Sequence, residues 1–86
     1  MKREVIMHEL SVLKKAITTV SDTAEQHNIK RIKFITLEIG EDSTFVPLFF
    51  QKLYPVAIDG LDLFQDSELK LLTVPGKGLV IKEIGY

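Results

Sequence analysis

Cysteine is absent from the 86 residues of this chain. Its absence excludes disulfides, thiolate zinc sites and cysteine nucleophiles, and it fits a cytoplasmic protein that needs no covalent staple. Histidine is scarce, with 2 in the whole chain. There is no nucleophile elbow, no phosphate-cradling glycine loop and no pair of histidines at metal-binding helical spacing, which leaves little from which to build a hydrolase or a transferase. The expectation is that the chain is not an enzyme. Charge of one sign is lacking as well: 11 basic and 12 acidic residues leave a formal charge of -1. Because the two signs are interspersed, no electrostatic footprint for nucleic acid or an anionic membrane results. Long apolar runs are missing too. Met1-Lys2-Arg3-Glu4 is followed by only three apolar residues before His8, too few for the apolar core of a signal peptide, and nothing approaches a membrane span. The expected compartment is the cytoplasm, with no nucleic-acid or membrane partner.

What is present reads as one globular domain. Hydrophobic residues make up 45% and charged residues 27%, ordinary shares for a folded soluble protein. A chain of this length buries about 60% of the surface it exposes when unfolded, so its core is real but thin. From Leu10 onward, Leu10, Leu13, Ile17, Val20 and Ala24 step by three or four, the period of a helix laying one stripe on a core. Lys14, Lys15, Thr18, Asp22 and Glu25 fall on the wet side. His27-Asn28 closes this helix, because Asn tolerates the left-handed conformation that follows a last turn. Residues 31–39 switch to a period of two and read as a strand, with Ile35, Leu37 and Ile39 on one face and Ile32 and Phe34 on the other. Either both faces are partly covered or a bulge shifts the phase near the start.

Gly40 ends that strand. Asp42 or Ser43 is placed to cap a second helix with Pro47 in its first turn, where the missing N–H costs nothing. Phe45, Phe49, Leu53 and Val56 form its expected inward stripe. Phe50, Tyr54 and Ile58 form a second stripe available to a partner chain, and Pro55 is expected to kink or end the helix. Residues 68–74 and 79–86 read as two further strands joined by Pro75-Gly76-Lys77-Gly78, a turn in which Pro presets one dihedral angle and Gly supplies a positive one. The expected architecture is α+β: two helices packed on one face of a three-stranded sheet, in the order helix-strand-helix-strand-strand, with a C-terminal hairpin. Glu38 and Glu41 flank Gly40, and they read as a solvated strand end rather than an acid–base pair.

His8 has the most informative setting. An imidazole beside a short run of backbone amides can complete a square-planar nitrogen set, the geometry that suits Ni(II) or Cu(II) better than zinc. Met7-His8-Glu9-Leu10-Ser11 resembles the opening of the HypA/HybF family, nickel metallochaperones of hydrogenase and, in some organisms, urease maturation. The likeness extends through Lys30-Arg31-Ile32, Leu37-Glu38-Ile39-Gly40-Glu41, Ser43 and Val46-Pro47 to Leu79, Ile81 and Ile84. It covers nearly the whole chain from Met7. In that family the initiating amine, the imidazole of the second residue and nearby backbone nitrogen bind nickel. The resemblance therefore implies His8 as a metal ligand, Glu9 as its supporting carboxylate and Met7 as a main-chain contributor. Without it, His8 is a polar residue before a helix and Glu9 a favourable first-turn acid. His27 reads as a helix-end residue.

Two departures qualify the transfer. Six residues, Met1 to Ile6, precede the motif, so a terminal amine with a reference pKa of about 8 is replaced by an amide that gives up its proton reluctantly. Nickel affinity should fall unless the native chain starts at Met7; otherwise the extension is expected to add apolar packing through Val5 and Ile6 and to alter the site. The family's four-cysteine zinc ribbon, which lies between the last two strands, is replaced here by the single turn at residues 75–78, so no zinc is expected. The resemblance thus implies a single nickel-binding domain over residues 1–86, with residues 1–6 as an extension. It would bind Ni2+ transiently and dock on a maturation GTPase or a nickel-enzyme precursor. The alternative is a metal-independent interaction or regulatory module that keeps the fold without the metal site. The apolar stripe and free sheet edges also suggest a homodimer.

Overall fold

The structure is a computed structural model that describes the backbone of residues 2–86 and the side chains of residues 8–86. The expected packing of Val5 and Ile6 lies outside the described side chains. Helix α1 spans Lys2–Gln26, strand β1 Phe34–Gly40, helix α2 Pro47–Ala57, strand β2 Glu68–Val74 and strand β3 Leu79–Gly85, with a 3-10 turn at Asp62–Phe64. This is the expected α+β order of helix, strand, helix, strand and strand.

Helix α1 begins well before Leu10. Residues 2–7 contain neither Gly nor Pro, so nothing stops the helix from propagating back through them once the downstream turns have nucleated it. His8 therefore lies inside the helix rather than at its start. At the other end Asn28 takes the left-handed conformation (φ 57°). The Ile29 N–H donates to the Ala24 carbonyl at 2.8 Å, so the ending is a Schellman-type cap built on Asn. Leu13, Ile17, Val20 and Ala24 are buried as the period of three and four requires.

Strand β1 is the centre of the sheet, in the order β2-β1-β3, parallel to β2 and antiparallel to β3. The expected C-terminal hairpin does not form, because β1 lies between its two arms. The link at residues 75–78 crosses the end of β1 instead. There Gly40 donates to the Gly78 carbonyl at 2.8 Å, Glu41 to Val74 at 2.8 Å and Asp42 to Gly76 at 2.9 Å. Arms separated by a middle strand lie about 10 Å apart, a gap that four linking residues can span. The crossing depends on Gly40: a Cβ there would collide with the Gly76 carbonyl oxygen and lie 2.7 Å from the Lys77 Cα and carbonyl carbon. The bulge lies between Thr36 and Leu37 in the pairing with β3 and leaves Lys82 unpaired, so it sits on the partner strand.

Ile35, Leu37 and Ile39 face the helices and are essentially inaccessible, in one core with Leu13, Val20, Phe50 and Phe64. The stripes of α2 are the reverse of the expectation. Phe50, Tyr54, Ala57 and Ile58 are buried, Phe45, Phe49 and Leu53 only partly so, and Val56 is 57% exposed. The helix starts at Pro47, so its inward period runs from Phe50. Neither Asp42 nor Ser43 caps it: the N-cap is Val46, without a side-chain cap bond of its own, and Ser43 Oγ donates back to the Gly40 carbonyl at 2.7 Å. Pro55 is accommodated two residues before the helix ends.

Candidate metal centre

His8 and Glu9 are consecutive on α1, so about 100° of helical rotation separates them. One looks out and the other in. His8 is exposed, and its ring stacks on Phe45 with centroids 5.0 Å apart and planes 12° from parallel. Phe45 in turn meets the fully buried Phe50 edge-on at 5.6 Å. The imidazole is thus braced on one face while the residue as a whole remains open to solvent.

Glu9 is fully buried. Its Oε2 accepts from the Val46 N–H at 2.8 Å, and Oε1 has no partner among the described residues. The carboxyl group supplies the tie that the N-cap of α2 lacks in its own side chain. His8 and Glu9 therefore grip neighbouring residues, Phe45 and Val46. That segment is itself fixed to the end of the sheet by the Asp42 bond to Gly76 and by the Phe45 N–H, which donates to Ser43 Oγ at 3.3 Å.

The backbone around His8 is engaged. The Met7, His8 and Glu9 amides lie within α1, where each N–H donates to the carbonyl four residues back. An amide nitrogen becomes a metal ligand only after leaving that bond and losing its proton. Met7 is placed by its backbone alone, its side chain being outside the described residues. His27 is exposed at the opposite end of α1, about 28 Å away at 1.5 Å per residue, so the two histidines cannot share one ion. Glu38 lies 3.8 Å from the Lys82 ammonium, whereas Glu41 is an exposed turn residue. Among the described residues, no group of three His, Asp or Glu side chains is gathered to hold a metal. Phe45, the brace of the imidazole, belongs to the site and was hidden from sequence reasoning, since a contact across 37 positions leaves no local signal.

The fold is shared with the solution structure of the Ni metallochaperone HypA from Helicobacter pylori. The TM-score is 0.72 at 16% identity, over 87% of this chain and 70% of that one. A family model described as hydrogenase/urease nickel incorporation, metallochaperone, hypA matches residues 7–79. The family so described is one of metallochaperones rather than enzymes. The chain belongs to the HypA family. It is 39% identical over 69 residues to the hydrogenase maturation factor HypA of Methanocella arvoryzae, covering 80% of this chain and 60% of that protein. It is 32% identical over 72 residues to the protein of the same description from Dechloromonas aromatica, covering 84% and 63%. The chain thus spans about three-fifths of the length of these curated relatives.

Proposed function

We propose that this domain handles nickel for hydrogenase maturation, holding Ni(II) transiently through the His8 imidazole and passing it to a maturation GTPase or a nickel-enzyme precursor. The observation that carries this reading is the exposed His8 ring, braced on Phe45 at the point where the family match begins. Nickel is cargo here, and the domain needs neither zinc nor catalysis to carry it. Main-chain nitrogen of Met7 and His8 completes the ligand set once the first turns of α1 open. Glu9 supports the site from beneath by fixing α1 to α2. Each amide recruited releases a proton, so affinity rises with pH.

In a chain starting at Met7, the amides of residues 7–9 would belong to the first turn of the helix, whose N–H groups have no intrahelical partner. An amine with a pKa of about 8 would join them. Nickel titration by calorimetry is expected to show binding by the full chain and, by about tenfold or more, tighter binding by a form starting at Met7, a difference of about 1.4 kcal/mol. His8→Ala should abolish binding in both. The unbroken run of α1 through residues 2–8 favours a second reading, a metal-independent docking module. Absence of nickel binding by every form would establish that one and discard the first.

A further inference from the structure

The helices cover one face of the sheet. On the other face the three strands place their side chains in rows, and the rows are complementary to themselves. In the first row Lys70 of β2 and Glu83 of β3 flank Thr36 of β1. In the next, Leu72 and Val80 flank Glu38. Leu72 is 42% and Val80 58% exposed, whereas Glu38 is engaged by Lys82 from the bulge at 3.8 Å. Toward the far end, Phe34 lies beneath the Lys70 ammonium, 4.0 Å from the ring centroid.

We propose that this outer sheet face is where two copies of the chain associate, about a two-fold axis running along β1. Because β2 and β3 flank β1 on opposite sides, that axis lays β2 of one copy over β3 of the other. Lys70 then meets Glu83 of the second copy, and Glu83 meets its Lys70. In the same way Leu72 covers Val80 in both directions. Opposite charges meet twice and the two exposed apolar positions are covered twice, from one surface and one operation, as an isologous interface requires. The central Glu38 residues, which would otherwise repel across the axis, each have Lys82 beside them.

The size of the face sets the strength. Three strands of seven residues present roughly 330 Å2 in projection, below the ~800 Å2 per partner of a stable complex. The dimer is therefore of the weak, reversible kind, and it is sought at about 0.1–1 mM.

Sedimentation equilibrium of the full chain over that range tests the proposal. The wild-type chain should show a reversible monomer–dimer equilibrium that weakens with added salt. Lys70→Glu and Glu83→Lys, each alone, place like charges at both symmetric contacts and should weaken it by about tenfold. Mixed in equal amounts, the two variants should associate again, because every contact between them pairs opposite charges. Recovery on mixing also shows that both variants are folded. A wild-type chain that stays monomeric throughout overturns the proposal. So does a dimer indifferent to either substitution, which would lie elsewhere, and so does failure of the mixture to associate.

Discussion

Two neighbouring residues of α1 divide the work of the candidate site. His8 keeps an exposed ring, whereas Glu9 is a buried strut whose Oε2 holds the Val46 N–H. If Glu9 acts by position rather than by ligation, its charge and its shape have separable effects. Glu9→Gln keeps an oxygen for Val46 and should leave stability within about 1 kcal/mol of wild type, with nickel affinity changed by no more than a few-fold. Glu9→Ala empties a sealed site and orphans the Val46 N–H, and should lower stability by about 2–3 kcal/mol. Urea midpoints and nickel titrations of the two variants decide the matter. A large loss of nickel affinity in a stable Glu9→Gln variant would make the carboxylate a ligand.

At the scale of elements, what could be read from the sequence was what is local. The span of β2, the stripe of α1 and the Asn28 cap follow from spacing and from the conformational habits of single residues. The inward face of α2 did not follow. Its phase depends on where the helix starts, and that start is set by Pro47 and by a buried carboxyl group 37 residues away, not by Asp42 or Ser43. The early start of α1 was missed because residues 2–7 carry no stop signal, and the motif alone suggested one. This helix also makes the nickel reading testable by its shape. Recruiting the amides of Met7 and His8 takes about six residues out of the 25 of α1. Because α2 adds 11 helical residues to the same signal, saturating the full chain with Ni(II) should lower the far-UV helical signal by about a sixth, and His8→Ala should keep the signal unchanged. Tight binding with no loss of helix would leave side chains as the only ligands.

The molecule as a whole is organised around β1, and this was the least legible feature. A turn sequence at residues 75–78 predicts that β2 and β3 are joined, and they are, but not that a third strand lies between them. Ile35, Leu37 and Ile39 form the most apolar strand face, and burying both edges of that strand satisfies its backbone on each side. The resulting topology makes the path from α2 to β2 a long connection that must be secured. Tyr54 of α2 helps to secure it. The Ser67 hydroxyl proton goes to the Phe64 carbonyl at 2.5 Å, so the Tyr54 hydroxyl is the donor in its 2.6 Å bond to Ser67 Oγ. Burial pushes the Tyr54 hydroxyl above its ordinary pKa of 10.0. In the unfolded chain the phenol ionises first. The stability tied to the protonated group is therefore complete below pH 10 and is lost as pH rises through the higher folded value. Tyr54→Phe removes one hydrogen bond and should cost about 0.5–1.5 kcal/mol at neutral pH. Without the hydroxyl, however, it also escapes the alkaline loss. Urea midpoints of the two proteins should therefore converge, or cross, between pH 7 and about pH 11. A constant gap over that range would show that the phenol ionises equally readily in the folded and unfolded chains.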